Sequence, residues 1–248
     1  MLSNQVQIAN SLKQLHMPTI RNSYEETAAQ ARANSWSYER YLSELLGFEC
    51  ATRHQNRISR NLHASKLPPS KTFENFDKKR LSTKISTHLD ILVSGSFLNR
   101  SENILAFGNP GSGKTHLLCA IGHELIEKGK QVLFISCYQL VQDLLIAKKE
   151  LELTKKLKKL SRFDAVIIDD IGYVQQSREE MEVLFTFLAD RYEQKSLMIT
   201  SNLPFSKWES IFKDPMTTAA AIDRLVHHSI ILELNLNSYR MEEAKKNK

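Results

Sequence analysis

The segment Gly108-Asn-Pro-Gly-Ser-Gly-Lys-Thr115 is the part of this sequence that says most about its fold. It follows a short apolar run, residues 103–107, which is typical of a buried parallel strand. It leads into residues 114–128, where apolar side chains recur at helical spacing. The order of strand, glycine-rich turn and helix therefore predicts a loop that wraps its backbone around a phosphate group.

The residue types of this loop suit a nucleoside triphosphate. Its glycines let successive backbone N–H groups turn inward, and the N-terminus of the following helix adds the positive end of its dipole. Lys114 is placed to reach the β- and γ-phosphates, and the Thr115 hydroxyl is placed to bind Mg²⁺. We therefore predict a nucleotide-binding site with a magnesium ion.

From residue 100 onward, apolar runs alternate with helical patterns. Strands are predicted at residues 103–107, 131–136, 165–169, 197–201 and 230–234. Helices are predicted between them at residues 114–128, 138–149, 178–192 and 217–227. Ser177 and Glu180 form a capping box for the third of these helices. This alternation predicts an α/β fold with a central parallel five-stranded sheet flanked by helices.

The first hundred residues carry helical patterns only. We predict a small all-α N-terminal domain over residues 1–67, in which Ser35 caps a helix that begins at Trp36. The sequence Leu67-Pro-Pro-Ser70 ends that helix. We predict that residues 68–99 form a basic linker with one helix and that residues 100–248 form the nucleotide-binding domain.

Polar side chains end two of the predicted strands. Asp169 and Asp170 close the third strand, and in phosphate-loop proteins such a strand lies beside the first, with its terminal acid near Mg²⁺. We expect Asp169 to bind the ion, directly or through water, and Asp170 to polarise the attacking water. Asn202 ends the fourth strand at the same edge, where its amide would position that water or touch the γ-phosphate. The alternative for Asn202 is a residue that only terminates a strand.

Two late arginines are candidates for stabilising charge on a transferred phosphoryl group. Arg224 lies in an alanine-rich helical stretch, and Arg240 follows the fifth strand. Either would act within its own subunit or across a subunit interface. The alternative for each is an ion pair on the surface.

The net charge of +6 is unevenly distributed. Residues 1–99 carry 13 Lys and Arg against 8 Asp and Glu, and nine bases against two acids lie within residues 53–84. A patch of this kind suits a polyanion such as DNA, and a solvated linker is an equal alternative.

A second basic stretch, residues 148–160, reads as a partly amphipathic helix with a basic face. Lysines suit sequence-independent contact with DNA phosphates, and a solvated helix is the alternative. No recognition-helix or zinc-finger spacing is present, so little base-specific readout is expected. The candidate DNA-binding residues are Lys148, Lys149, Lys155, Lys156, Lys158 and Lys159.

The composition argues against a membrane protein, a secreted protein and a cysteine-based metal site. No apolar run approaches the ~20 residues that span a membrane, and the N-terminus lacks the pattern of a secretory signal. The three cysteines, Cys50, Cys119 and Cys137, have no metal-binding spacing. We therefore expect a cytoplasmic protein that does not interact with a membrane.

The motifs together resemble the IstB-like proteins, which are AAA+ ATPases encoded by insertion sequences and relatives of the DnaC helicase loader. The similarity covers roughly residues 35–242. It is carried by Gly-x-Pro-Gly-x-Gly-Lys-Thr-His116, Ile-Ile-Asp-Asp-Ile-Gly-Tyr173, Thr-Ser-Asn-Leu-Pro-Phe205 with Trp208, Asp-Arg-Leu-Val-His-His228, Ser-Tyr-Arg240, Trp36-Ser-Tyr-x-x-Tyr-Leu, Arg53-His54 and Lys71-Thr-Phe-Glu-x-Phe-Asp77.

The resemblance implies roles for these residues. Residues 166–170 would be the Walker B motif, Asn202 sensor I, and Arg224 the arginine finger acting on the ATP of a neighbouring subunit. Residues 148–160 would line a DNA channel, and no helical lid domain is expected within the nucleotide-binding domain of residues 100–248. The Walker A motif and the following histidine would bind ATP through Gly108, Asn109, Pro110, Gly111, Ser112, Gly113, Lys114, Thr115 and His116.

Two positions depart from the family pattern. The second Walker B acid is commonly Glu in the family but is Asp170 here, and its shorter side chain is expected to slow hydrolysis. Relatives often have a glycine before Ser-Tyr-Arg240, where this chain has Asn235-Leu-Asn237-Ser238, which weakens a sensor role for Arg240.

The first functional hypothesis is an ATP-dependent transposition helper. It would oligomerise with ATP on double-stranded DNA, bend that DNA, and recruit and stimulate an IstA-type transposase. The second is a replicative helicase loader of the DnaC type, although residues 36–48 favour the transposition branch. A small-molecule kinase would need an arginine-rich lid, which the sequence does not suggest. A DNA-bending protein with vestigial ATPase activity is the fourth hypothesis, and Asp170 leaves room for it.

Overall fold

The computed structural model divides into two units of chain, residues 1–60 and residues 61–248. The predicted helix over residues 217–227 lies largely outside the described residues, so its bounds stay a prediction. The described residues are 4–171, 177–204, 207–208, 222–223, 225–234 and 238.

The first unit is helical, as predicted. It contains α1 (Asn4–Gln14), α2 (Pro18–Ala33) and α3 (Tyr38–Ser65), the last of which continues into the second unit. The predicted cap of α3 is wrong, because Ser35 has φ 51° and an N-cap needs an extended backbone. Ser37 caps the helix instead, since its hydroxyl accepts a hydrogen bond from the Arg40 N–H at 3.2 Å.

A buried carboxylate ties α3 to the start of α2. Glu49 Oε2 accepts hydrogen bonds from the N–H groups of Thr19 and Ile20 at 2.9 and 3.2 Å, and Oε1 accepts one from Arg53 Nε at 2.8 Å. Burial acts to raise the pKa of Glu49, but the bonds from Arg53 and the two N–H groups outweigh it and lower the pKa below its ordinary value of 4.5. The ionised side chain therefore satisfies the first turn of α2.

The second unit contains the predicted parallel five-stranded sheet. Its strands lie in the order β2-β3-β4-β1-β5, and every pairing is parallel. The observed bounds agree with the predicted ones to within a residue at each end. The strands are β1 (Asn103–Gly108), β2 (Val132–Ser136), β3 (Ala165–Asp169), β4 (Ser196–Ser201) and β5 (Ser229–Leu234).

The predicted neighbour of β1 is wrong. β4, not β3, lies beside β1, with Ala106 opposite Thr200, and β4 pairs with β3 on its other side, with Ile168 opposite Ile199. All six residues of β4 are buried. A strand without a polar face needs cover on both faces and both edges, so it takes the central position of the sheet.

Helices cover the sheet, and serine side chains set where several of them begin. The hydroxyls of Ser82, Ser136 and Ser177 each accept a hydrogen bond from the third residue of their helix, and the capping box with Glu180 is confirmed. The helices of this unit are α4 (Thr83–Ser94), α5 (Ser96–Asn99), α6 (Lys114–Glu127), α7 (Cys137–Lys149), α8 (Leu153–Leu160) and α9 (Arg178–Arg191).

The prediction of one helix over residues 148–160 is wrong. α7 ends at Lys149 and α8 begins at Leu153. Between them Leu151 has φ 58° and is 95% exposed, and the Glu152 N–H donates to the Ala147 carbonyl at 2.8 Å. This left-handed residue closes α7 and turns the chain before α8 starts.

A buried arginine joins α8 to the sheet. Arg191, in the last turn of α9, is 1% exposed, and its guanidinium donates to the carbonyls of Leu160, Phe163 and Ser196 at 3.1, 3.1 and 2.8 Å. Burial lowers the pKa of Arg191 to about 10. One side chain therefore holds together the end of α8, the approach to β3 and the start of β4.

Candidate nucleotide-binding site

The glycine-rich loop follows β1 and turns sharply into α6. Gly108, Gly111 and Gly113 have φ values of 152°, 80° and 95°, a region that side chains rarely adopt. A Cβ on Gly108 would also collide with the Leu234 carbonyl of β5. Glycine is therefore required for both the turn and the close approach of the neighbouring strand.

Lys114 and Ser112 bring polar atoms to the inside of this loop. Lys114 is 5% exposed, and its Nζ donates to the carbonyls of Gly108 and Asn109 at 2.8 and 2.9 Å. The Ser112 hydroxyl is buried and makes no hydrogen bond to the described part of the chain. A phosphate oxygen would satisfy that hydroxyl, so the loop fits the group that its sequence predicts.

The loop is linked to the end of β3 by hydroxyl groups. Thr115 Oγ1 donates to Asp169 Oδ1 at 2.7 Å, as does Thr200 Oγ1 from β4 at 2.7 Å. The Thr200 oxygen in turn accepts the Asp170 N–H at 2.8 Å. The sequence motifs do not indicate Thr200, because its place in the site follows from the register of β4 against β1.

Asp170 and Asn202 reach the same cavity from neighbouring strands. Asp170 is exposed and has φ 58°, a conformation that Asp tolerates better than most residues. Asn202, which follows β4, is half-buried. Both line a cavity of about 480 Å³ together with the loop, so the structure brings these predicted residues together.

The opposite wall of this cavity comes from the basic linker, which no sequence motif had placed in the site. Phe76 contacts the His116 ring edge-on at 5.1 Å and lies close to Gly113. The wall residues are Lys71, Asn75, Phe76, Asp77 and Arg80.

Two histidines hold this wall against α6. His116 Nε2 donates to the Thr72 carbonyl at 2.9 Å, and His123 Nε2, two turns later, donates to the Pro68 carbonyl at 3.2 Å. His116 was predicted to bind the nucleotide, and it lines the cavity while positioning the wall.

Oxygen atoms are the metal donors that this site offers. The Thr115 hydroxyl and the Asp169 carboxylate suit Mg²⁺, which takes few protein ligands and keeps several waters. Within the described residues, no group of three or more His, Cys, Asp or Glu side chains forms a metal cluster. The donor set therefore fits magnesium held jointly with phosphate oxygens.

Arg224 and Arg240 lie outside the described residues. Their predicted roles therefore stay predictions.

The six candidate DNA-binding lysines lie on α7 and α8. Lys148, Lys155 and Lys156 form ion pairs with Glu182, Glu152 and Asp143 at 2.8, 2.9 and 2.7 Å. Lys149, Lys158 and Lys159 are exposed and form no ion pair with the portion of the chain that the structure describes.

The sequence matches the pattern of the family described as IstB-like ATP binding protein over residues 10–247. It is 44% identical to a putative insertion sequence ATP-binding protein of Sinorhizobium fredii over 94% of this chain and 78% of that one. It is 36% identical to the insertion sequence IS21 putative ATP-binding protein of Pseudomonas aeruginosa over 95% of this chain and 89% of that one.

Solved structures show the same fold. The DnaC helicase loader superposes with a TM-score of 0.59 at 20% identity, over 66% of this chain and 97% of that chain. AMPPCP-bound DnaA from Aquifex aeolicus superposes with a TM-score of 0.56 at 21% identity, over 73% of this chain but only 56% of DnaA. The second unit therefore has the P-loop fold of AAA+ proteins.

None of the helices formed by the described residues is long and apolar enough to cross a membrane.

Proposed function

Because this chain belongs to the family of IstB-like ATP binding proteins, we propose that it is an ATP-dependent helper of DNA transposition. The observation that carries this proposal is the hydrogen bond from Thr115 to Asp169. It joins the phosphate-binding loop to the acid pair, as ATP chemistry requires.

ATP would bind with its phosphates inside the glycine-rich loop and its base towards the wall around Phe76. Lys114 now bonds two loop carbonyls. Phosphate oxygens carry more negative charge than carbonyls, so the ammonium would turn to the β- and γ-phosphates when ATP enters. Mg²⁺ held by Thr115 and Asp169 would neutralise charge on the same phosphates.

Hydrolysis would use the two residues that share the cavity with the loop. Asp170 would polarise the attacking water, and Asn202 would orient it towards the γ-phosphate. Arg224 of a neighbouring subunit would stabilise charge on the transferred phosphoryl group, a role that rests on the family resemblance. The short side chain of Asp170 would make this turnover slow.

Duplex DNA would contact the lysines of α7 and α8. Lys149, Lys158 and Lys159 are the first candidates, because each is exposed and the other three are paired with acids. Lysine contacts to phosphates bind without regard to sequence and weaken as salt rises. ATP would drive assembly of several copies on DNA, bend the DNA, and recruit and stimulate an IstA-type transposase.

The deciding experiment is sizing of the protein on long duplex DNA with ATP, ADP or no nucleotide, at two salt concentrations, together with ATP turnover. We expect large assemblies on DNA that form only with ATP and dissociate at higher salt. Lys114→Ala and Arg224→Ala should abolish them, whereas Lys13→Ala, an exposed lysine of α1 outside the cavity and outside both basic stretches, should not. A monomer indifferent to ATP and DNA would overturn the proposal.

The partner of the first unit separates this function from helicase loading. Stimulation of strand transfer by the transposase of the same insertion sequence supports the helper function. Binding to a replicative hexameric helicase without effect on strand transfer supports the loader instead.

A further inference from the structure

The second half of α3 presents a row of arginines on the first unit. Arg53, Arg57 and Arg60 are exposed and, with His54, line one open groove along the helix. Their spacing of four and three residues places them on one face. At ~1.5 Å of rise per residue, the row spans about 10 Å.

Each of these arginines is held in place by a neighbour through only part of its guanidinium. Arg53 bonds Glu49 and the His16 carbonyl, at 2.8 and 2.5 Å, through Nε and Nη2. Arg57 uses Nη2 towards His54 Nδ1 at 3.1 Å, and Arg60 uses Nε towards the Asn56 carbonyl at 3.2 Å. These bonds use only some of the N–H groups of each guanidinium, and they restrict the side chains before any ligand binds.

The segment of sequence that carries this row contains basic residues and no acidic ones. No Asp or Glu occurs between Glu49 and Glu74 in the sequence. Glu49 itself is 4% exposed and is already bonded to Arg53 and to the start of α2. The groove is therefore positive, with no exposed acid of α3 inside the row to neutralise it.

We propose that this arginine row is a second DNA-binding surface, which holds the phosphates of one strand of duplex DNA. B-DNA carries one charge per ~3.4 Å of axis on each strand, and because the strand winds around the axis its neighbouring phosphates lie farther apart than that rise, so a row of about 10 Å fits roughly two phosphates. Guanidinium groups suit phosphate oxygens because their N–H groups bind in pairs. The surface lies on the first unit and is separate in sequence from the lysines of α7 and α8.

This inference rests on the proposed binding of DNA, and the first test measures duplex affinity as a function of salt with the full chain. The variant Arg57→Ala/Arg60→Ala leaves Arg53 and its bond to Glu49 in place. The control Arg21→Ala/Arg32→Ala removes two exposed arginines of α2, outside the groove. We expect the groove variant to weaken binding about tenfold and to lower the slope of log K against log salt by about 1.8, or ~0.9 for each phosphate that is no longer neutralised.

The control should change the affinity for duplex DNA by less than about twofold and should leave the salt slope unchanged. Circular dichroism should show that all variants are folded. An unchanged salt slope for Arg57→Ala/Arg60→Ala, alongside a reduced slope for Lys158→Ala/Lys159→Ala, would overturn the arginine row and leave the proposed function standing. Wild-type protein that does not bind duplex DNA at all would overturn both.

Cys50 supplies a local readout, because it is exposed in the same groove whereas Cys119 and Cys137 are buried. Saturating duplex DNA should slow alkylation of Cys50 by neutral iodoacetamide at least fivefold, and it should do so in Lys158→Ala/Lys159→Ala as well. Protection by polyglutamate but not by duplex DNA would show a surface for an acidic protein segment and contradict the proposal.

Discussion

Thr115 Oγ1 donates a hydrogen bond to Asp169 Oδ1 across 2.7 Å, although the strands that lead to these residues are not neighbours. Thr200, on the strand between them, donates to the same oxygen at 2.7 Å. One carboxylate oxygen therefore collects two hydroxyls, and the intervening strand becomes part of the candidate magnesium site.

Replacing Thr200 by valine tests that role. Thr200→Val keeps the shape but removes the bond to Asp169 and the acceptor of the Asp170 N–H, so both acids lose their orientation. We expect ATP turnover to fall roughly tenfold, which corresponds to the free energy of about one hydrogen bond. ATP affinity should change little. Thr186→Val, which removes only a bond to a carbonyl within α9, is the control. Equal turnover of the two variants would show that Thr200 is not part of the site.

Lengthening the second acid tests whether Asp170 limits hydrolysis. Asp170→Glu should raise ATP turnover several-fold, because the longer carboxylate reaches further towards the γ-phosphate. The left-handed backbone at this residue should cost the variant less than about 1 kcal/mol in unfolding free energy. Asp170→Asn should lower turnover by about 10²-fold or more. If the asparagine variant turns over at the wild-type rate, another group polarises the water.

Removing the buried guanidinium tests how α8 is held. Arg191→Leu leaves the carbonyls of Leu160, Phe163 and Ser196 without their donor. Each buried carbonyl without a partner costs about 1–3 kcal/mol, so a loss of at least 3 kcal/mol in unfolding free energy is expected in urea titrations. Arg191→Lys should recover only part of it, because an ammonium lacks the planar fork. Arg178→Leu, at the exposed start of α9, should change stability by less than about 0.5 kcal/mol.

Acid should loosen the first unit through Glu49. The pKa of Glu49 is lowered in the folded chain. Its contribution to the stability of the fold is therefore complete above the ordinary pKa of 4.5 and is lost as the pH falls through the lowered pKa. Hydrogen exchange at the Thr19 and Ile20 amides should therefore accelerate below pH 4.5, relative to the intrinsic rate.

Glu49→Gln should show faster exchange of those two amides already at pH 7, with a loss of about 1.5–3 kcal/mol for bonds to a charged group. Glu26→Gln, on the exposed face of α2, is the matched control. Protection that is the same in both variants would mean that the carboxylate does not hold α2.

Patterns within short segments predicted the elements of this chain well. The five strands were confirmed because each is an apolar run bounded by turn residues, and the capping box at Ser177 and Glu180 was confirmed because it needs only local contacts. The prediction that Ser35 caps α3 was wrong by two residues, because Ser37 is the cap. The backbone at Ser35 is left-handed, and local patterns do not record that turn.

Local sequence was enough to predict the kind of chemistry of this protein. The glycine-rich loop, the acid pair and the polar end of β4 are contiguous motifs, and their residue types already predict binding of phosphate and magnesium. The order of the strands, the place of Thr200 and the wall formed by Phe76 were decided only in three dimensions. They depend on contacts between residues that are more than thirty positions apart in the sequence, such as the hydrogen bond from Thr115 to Asp169.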